Sequence, residues 1–181
     1  MAIQINNNWR DRAYNNACNH GFHNEEKSDE YWFMLIITEI SEAIDADRKD
    51  KHAFIEEFNK VIKLTDYSSK KTFERCIKGS IEDELADIVI RCLDFAGMQK
   101  INVEQRIILS YIVSKKKSFV ENMYAIVRDI TNYKYTNEEL INYAFRQVLR
   151  VAEFYNIDIL WHIEQKMKYN EMRPMLNGKK Y

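Results

Sequence analysis

Two stretches of the chain repeat their apolar residues with the period of an α-helix. Between Tyr31 and Lys49, at about 100° per residue, one broad sector collects the apolar side chains Trp32, Leu35, Ile36, Ile40, Ala43, Ile44 and Ala46. Between Ile81 and Gly97, a second apolar face consists of Ile81, Leu85, Ile88, Val89, Cys92, Leu93 and Ala96. The pattern predicts two long amphipathic helices, each of which buries one face.

The rest of the chain predicts further helices separated by short polar breaks. Periodicity and capping residues place them at about Asn8 to Cys18, His52 to Leu64, Val103 to Ile130, Thr136 to Tyr155, and from Asp158 to a point before Pro174. The third of these stretches is either one helix or two, since Ser114 to Ser118 weakens its middle. Residues 19–24 and 65–69 are predicted connections because they are polar and the first contains a glycine.

The composition favours helices throughout. The chain has 181 residues, of which 46% are hydrophobic, with one proline and four glycines. So few turn-forming residues are untypical of a protein rich in strands. The length suffices for one sizeable core. We therefore predict a single all-α domain over residues 1–181, built as a helical bundle of about five to seven helices.

The charge balance and the cysteines limit the class of protein. Lys and Arg number 27 against 28 for Asp and Glu, so no net positive field would attract nucleic acid or an anionic membrane. No apolar run approaches the ~20 residues that span a bilayer. The three cysteines, Cys18, Cys76 and Cys92, lack CxxC spacing and favour reduced thiols that fill the core. We expect a soluble, cytoplasmic protein with no nucleic-acid or membrane partner.

The first long helix carries carboxylates where apolar residues are expected. Glu39 falls inside the apolar sector, and Glu42 lies at its edge one turn further on. A carboxylate on a core-facing surface is costly unless it is paired or coordinates a cation. This helix alone leaves three explanations open: a buried Arg or Lys beside Glu39, an open margin of the bundle, or a bound cation.

The second long helix begins with a run of acidic residues. Glu82, Asp83 and Glu84 lie in its first turn, where the helix dipole favours negative charge. Glu82 and Asp83 need no further explanation. Glu84 borders the apolar face, and Asp87 follows at i+3 on a polar strip that continues with Arg91.

Side-by-side packing of the two long helices would bring two carboxylate pairs together. Four bare carboxylates would repel one another, but Mg²⁺ takes carboxylate oxygens and keeps positions for water and substrate phosphates, and Mn²⁺ is an alternative. An EF-hand calcium loop would need a central glycine, and a di-iron bundle would need Glu-x-x-His pairs. We therefore predict a Mg²⁺ site formed by Glu39, Glu42, Glu84 and Asp87.

These two acidic motifs, in this order, resemble the MazG-like, all-α nucleotide pyrophosphohydrolases. The phrases Ser-Glu-Ala-Ile at 41–44 and Glu-Leu-Ala-Asp-Ile-Val at 84–89 extend the similarity beyond the charged positions, and the pattern covers about residues 20–97. The resemblance implies a bundle of the MazG-like all-α NTP pyrophosphatase architecture that forms a homodimer or homotetramer. It also implies Mg²⁺-dependent hydrolysis of a nucleoside triphosphate between the α and β phosphates, to nucleoside monophosphate and pyrophosphate.

The resemblance also assigns roles to residues. The four acidic positions match the family's metal ligands, and Glu39 or Glu42 is the candidate that orients or deprotonates the attacking water. Near the end of the chain, Lys166, Asn170 and Arg173 fall at i, i+4 and i+7 and are similar to the family's phosphate-binding face. A basic helix end favoured by the dipole is the alternative explanation.

Other functions and roles stay open on the sequence. One is a dUTP- or dCTP-directed hydrolase of the same fold, and another is a non-catalytic helical interaction protein, which the acidic residue inside an apolar sector disfavours. Residues 106–155 match no motif of the family. Trp32 is expected to pack in the core rather than on a nucleobase. His20 and His23 are predicted to lie in a loop, where lining a base pocket is the less favoured interpretation.

Overall fold

The computed structural model describes residues 5–64, 69–103 and 118–178, and this part of the chain forms eight α-helices, one short 3-10 helix and no β-strand. The helices are α1 Asn7–Asn19, α2 Asp29–Arg48, α3 Ile55–Val61, α4 Ser69–Cys76, α5 Ile81–Met98, α6 Phe119–Ile130, α7 Asn137–Phe154 and α8 Ile159–Glu171, followed by the 3-10 helix Met175–Gly178. The predicted all-α class is confirmed. The MazG-like arrangement of the helices stays a prediction.

Helix α5 lies at the centre of the bundle and packs against α1, α2, α7 and α8. Fourteen of its 18 residues are buried, many more than the single apolar face predicted from its periodicity. It begins after Ser80, whose hydroxyl accepts a hydrogen bond from the Asp83 N–H at 3.2 Å. Near its other end, α1 packs closely on Gly97, because a Cβ there would lie 2.4 Å from the Cβ of Tyr14. The polar residues of α5 are therefore inside the protein together with its apolar ones.

Helix α2 packs its predicted apolar sector against α5. Its buried apolar residues are Trp32, Ile36, Ile40, Ala43 and Ala46. Glu39 is buried among them, whereas Glu42 is exposed. Trp32 packs in the core as predicted, where its ring stacks on the imidazole of His23 with 4.5 Å between the ring centres.

The last three long helices complete the core. Helices α6 and α7 each begin with a capping box, Ser118 with Glu121 and Thr136 with Glu139, and the second confirms the predicted start of α7. Their buried faces add apolar residues to the main core, among them Met123, Ile126, Val148, Leu149 and, from α8, Ile163. Most of the predicted break before α6 lies outside the described residues, in 104–117.

The predicted number of about five to seven helices was too low. Helix α4, at 69–76, was missed because its eight residues include few apolar ones, mainly Phe73 and Cys76, too few for periodicity to show. Helix α3 is also shorter than the predicted span of 52–64. The backbone before it bonds elsewhere, since the Phe54 N–H donates to the Cys76 carbonyl at 2.8 Å.

Two general features of the chain are also visible. Within the described ranges, no helix is long and apolar enough to cross a membrane. The three cysteines are free thiols, and Cys76 and Cys92 are buried, which confirms their predicted place in the core.

Candidate metal and phosphate site

A cavity of 540 Å³ opens beside the first turns of α5, between α1, α2 and α8. Its lining contains both acidic and basic side chains. The cavity brings together all seven residues that the sequence singled out, namely Glu39, Glu42, Glu84, Asp87, Lys166, Asn170 and Arg173. They do not all make the contacts that the sequence suggested.

Three carboxylates converge in this cavity: Glu39, Glu42 and Glu84, together termed the carboxylate cluster. One oxygen of each lies within 4.8 Å of the other two. Glu39 and Glu42 stand one turn apart on α2, and the packing of α2 on α5 brings Glu84 to them from the first turn of α5. Glu39 and Glu84 are buried, with exposures of 5% and 6%. Such a spacing of oxygens suits a shared cation, which Asp87 does not join within the described residues.

Glu84 has an unusual environment for a carboxylate. Its buried Oε2 atom has no hydrogen-bond partner among the described residues. Burial, and then the charges of Asp87 and Asp83, raise the pKa of Glu84 to about 9. At neutral pH the side chain therefore holds a proton unless a cation takes its place.

Glu39 meets a half-buried arginine, and a basic partner was one of the explanations that the sequence left open. The Nε–H of Arg91 donates to Glu39 Oε1 at 3.0 Å. Burial and the charge of Asp87 still raise the pKa of Glu39 above its usual value, against the opposing effect of Arg91. Arg91 was predicted on an outer polar strip, but it lines the cavity. The ion pair fixes the orientation of Glu39 and leaves its other oxygen without a hydrogen bond from a described residue.

Asp87 forms an ion pair with a buried lysine. The Nζ atom of Lys166 lies 2.7 Å from Asp87 Oδ2 and 2.8 Å from Asp83 Oδ1, and these three residues are termed the lysine bridge. Burial by itself lowers the pKa of Lys166, but the two carboxylates outweigh burial and raise it, so Lys166 stays charged. Asp83 also accepts a hydrogen bond from the Gly79 N–H at 2.8 Å. Asp83 therefore has two partners that the helix dipole alone did not predict.

The predicted phosphate-binding face of α8 lines the cavity at the spacing that the sequence implied. The Oδ1 atom of Asn170 is buried and has no hydrogen-bond partner in the described part of the chain. Arg173 donates to the Asn177 carbonyl at 3.1 Å. Arg173 and Asn170 thus keep hydrogen-bonding capacity for a ligand, whereas Lys166 is occupied by the lysine bridge.

Two further lysines line the cavity that the sequence did not single out. Lys51 follows α2 and Lys78 follows α4, in short connections where helical periodicity gives no signal. The Lys51 Nζ donates to the Lys78 carbonyl at 2.9 Å. Lys78 and Arg173 both approach the ring of Tyr169, at 5.9 and 5.7 Å from its centre. Lys51, Lys78 and Arg173 form no ion pair with any described carboxylate and are termed the cationic group.

Gly79 creates the space that Lys51 occupies. Its φ of +74° lies in the left-handed region, and a Cβ at this position would be 2.7 Å from the Lys51 Nζ. A glycine directly before the capping residue of α5 was the one sequence signal for this close approach.

The two loop histidines contact protein groups instead of the cavity. The Nε2 atom of His23 lies 2.7 Å from Asp94 Oδ1. The ring nitrogens of His20 lie 2.8 Å from the Asn16 carbonyl and 3.0 Å from the Arg173 carbonyl, which ties the end of α1 to the end of α8. Neither imidazole is among the described residues that line the cavity.

Comparisons of this chain with models of protein families, with curated proteins and with solved structures give no match. The carboxylate cluster of the cavity can hold a cation, and its cationic group can hold an anion beside it.

The raised pKa of Glu84 predicts how stability depends on pH. Without divalent cations, the folded protein keeps a proton that the unfolded chain releases above a pKa of about 4.3. This stabilising contribution is complete below pH about 4 and is lost as the pH rises through about 9. Urea unfolding in EDTA should therefore give a free energy of unfolding that falls from pH about 5 to about 9. The fall should be smaller in Glu84→Gln, which has no such proton to lose.

Added Mg²⁺ gives a second test of the protonation state of Glu84. Because cation and proton compete for Glu84, Mg²⁺ should raise the unfolding midpoint more at pH about 9 than at pH about 6. The same pH dependence in wild type and Glu84→Gln would contradict the assigned state of this side chain.

Proposed function

We propose that this protein is a divalent-cation-dependent hydrolase that cleaves nucleoside triphosphates between the α and β phosphates, releasing nucleoside monophosphate and pyrophosphate. One observation carries the proposal: the carboxylate cluster and the cationic group line the same cavity. Carboxylate oxygens suit hard cations, and lysine and arginine suit phosphate oxygens. A polyphosphate with a bound cation needs carboxylates for the cation and basic side chains for its phosphate oxygens. The resemblance of the acidic motifs to the MazG-like hydrolases supplies the expected reaction.

The carboxylate cluster fits Mg²⁺, with Mn²⁺ as the alternative. All of its ligand atoms are carboxylate oxygens, and neither histidine nor cysteine belongs to this described group. The unpartnered Oε2 of Glu84 supports the fit, because a buried oxygen without a donor is expected where a ligand binds. Glu39, Glu42 and Glu84 would hold the ion, which when bound would neutralise phosphate charge and lower the pKa of a water molecule.

In this proposal Asp87 and Lys166 act differently from what the resemblance implies. Asp87 neutralises Lys166 at 2.7 Å and therefore stands outside the ion's direct ligands. The lysine bridge holds α8 against α5, so that Asn170, one turn further along α8, and Arg173, just beyond its end, stay at the cavity. We assign Asp87 and Lys166 as positioning residues.

Glu42 is our candidate for the group that accepts the proton of the attacking water, through the carboxylate oxygen that does not hold the ion. It is exposed and makes no hydrogen bond or ion pair with a described residue, so it is free to orient a water molecule. Glu39 was an equal candidate on sequence, but the hydrogen bond from Arg91 fixes one of its oxygens. Glu39 is better suited to hold the cation.

The cationic group would bind the phosphates of the substrate. Phosphoryl chemistry depends mostly on positioning and on the neutralisation of negative charge. Lys51, Lys78 and Arg173 offer three cations with no carboxylate paired to them among the described residues. A triphosphate would supply the missing negative charge.

The first test is a direct assay of activity. With Mg²⁺, a panel of canonical, deoxy and modified nucleoside triphosphates should include a substrate that yields monophosphate and pyrophosphate, identified by ³¹P NMR. Glu42→Gln should lower kcat/KM by at least about 100-fold, because it removes a proton acceptor. Circular dichroism should stay unchanged, since Glu42 is exposed. Glu153→Gln, an exposed carboxylate on α7, is the matched control and should keep full activity.

Each outcome of this assay bears on the proposal. Diphosphate and phosphate as products would contradict the cleaved bond. A strong preference for dUTP or dCTP would identify the narrower hydrolase of the same fold. No turnover of any triphosphate would contradict the proposal and favour a non-catalytic interaction protein.

A second prediction concerns the lysines. Lys51→Met and Lys78→Met should each raise KM about tenfold with a smaller change in kcat, because their charges contact the phosphates in ground state and transition state alike. Lys63→Met, at an exposed position after α3, is the control. Inhibition by added pyrophosphate should weaken in the same two variants. If KM stays unchanged in both, these lysines do not bind the substrate.

A further inference from the structure

A second cavity of 340 Å³ lies at the other side of the α5 start and shares no lining residue with the first. It is bordered by the end of α2, the start of α5, the connection between α7 and α8, and the first turn of α8. One water molecule takes up about 30 Å³ in the liquid. The cavity is therefore large enough for a small organic molecule.

His162 lies at this cavity with its hydrogen-bonding groups unused. The side chain is 1% exposed, and neither ring nitrogen has a hydrogen-bond partner in the described ranges. Burial lowers the pKa of His162, so the ring is neutral and offers one donor and one acceptor. Buried polar groups are nearly always hydrogen-bonded in folded proteins. An imidazole with two unused nitrogens at the edge of a cavity indicates a ligand there.

The charges around this second cavity favour a cationic ligand. Four carboxylates line it, those of Asp47, Asp50, Glu82 and Asp158, and no lysine or arginine is among its described lining residues. Among the described lining residues, their basic partner is His52, whose Nδ1 lies 2.8 Å from Glu82 Oε1 and whose Nε2 lies 3.7 Å from Asp50 Oδ1. The negative charge therefore exceeds the positive charge around the cavity.

Two of these carboxylates already accept hydrogen bonds from the protein. Glu82 accepts hydrogen bonds from His52 and from the Ala53 N–H at 3.0 Å, and Asp158 caps α8 by accepting from the Trp161 N–H at 3.2 Å. Asp47 makes no hydrogen bond or ion pair with a described residue. Its carboxylate is the one most available to a ligand, followed by that of Asp50, whose side chain is 97% exposed and whose Oδ1 lies 3.7 Å from His52 Nε2.

Apolar side chains distinguish an organic cation from a metal ion. The rest of the lining includes Ile55, Ile81, Phe119 and Ile157. A metal ion would need at least three converging ligand atoms, and among the described residues only the carboxylate cluster of the first cavity provides them. An aliphatic chain that ends in an ammonium group matches both the apolar lining and the acidic groups.

We propose that this second cavity binds an aliphatic diamine, with one ammonium group donating a hydrogen bond to His162 and the other facing Asp47 and Asp50. Ammonium groups are donors only, so they complement an imidazole acceptor and carboxylates. The methylene chain between them lies against the isoleucines and Phe119.

Calorimetric titration of the full chain with 1,4-diaminobutane tests this proposal. We expect saturable binding that weakens with added salt, and at least about tenfold weaker binding in His162→Leu, because a hydrogen bond to a charged donor is lost. The double variant Asp47→Asn/Asp50→Asn should weaken binding and reduce its salt dependence. Glu153→Gln should bind as the wild type does, and 1,4-butanediol, which has the same length without charge, should not bind.

Wild-type protein gives an independent readout if His162→Leu fails to fold. The ring nitrogens of His162 should shift in ¹⁵N NMR spectra when the diamine is added, and the Asp47→Asn/Asp50→Asn variant should need more diamine for the same shift. Absence of diamine binding, equal binding of the diol, or unchanged affinity in both variants overturns the proposal. Binding of Zn²⁺ at His162 without diamine binding also overturns it and identifies a metal site.

Discussion

Carboxylates inside a helical bundle need positive partners, and this constraint determines how the other elements meet α5. The first turns of that helix carry four acidic side chains, of which three are buried and Asp87 is half-buried, and their partners differ. Glu82 bonds the connection after α2, Asp83 and Asp87 share the ammonium of α8, and Glu84 keeps an oxygen with no described donor. Removal of one partner from such a buried pair typically costs about 3–5 kcal/mol. The helices around α5 therefore position charges as well as fill space.

The acidic residues of α5 divide into two groups by their surroundings. One group is neutralised by the protein, through Lys166, His52 and backbone N–H groups. In the other, Glu84 joins the two carboxylates of α2 at a separation that suits a shared ion, and burial together with the charges of Asp87 and Asp83 raises the pKa of Glu84 to about 9. The same cavity holds lysines without carboxylate partners in the described chain. The carboxylate cluster thus lacks a cation, and the lysines lack an anion. The proposed hydrolase function follows from these two unbalanced charges, because a cation and a polyphosphate would neutralise them together.

Periodicity predicted much of this arrangement, and its failures have physical causes. It predicted spans for α2 and α5 that agree well with the structure. It also predicted that Glu39 faces the interior, because one face of a surface helix is buried. It could not place Arg91 or Lys166, since their partners depend on which helix covers each side of α5. Lys51 and Lys78 were not predicted as site residues for another reason. They lie in connections between helices, where side-chain direction follows no period. The predicted fourth ligand, Asp87, lies at the same cavity, but its lysine partner comes from a helix far along the chain.

In the proposed site, Glu39, Glu42 and Glu84 bind one divalent cation without Asp87. A crystal structure of the protein grown with Mn²⁺, with anomalous diffraction data collected near the manganese edge, tests this arrangement most directly. We expect one anomalous peak in contact with oxygens of these three residues, with Lys166 still between Asp83 and Asp87. No peak at the carboxylate cluster, or a peak bound to Asp87 with Lys166 displaced, would contradict it.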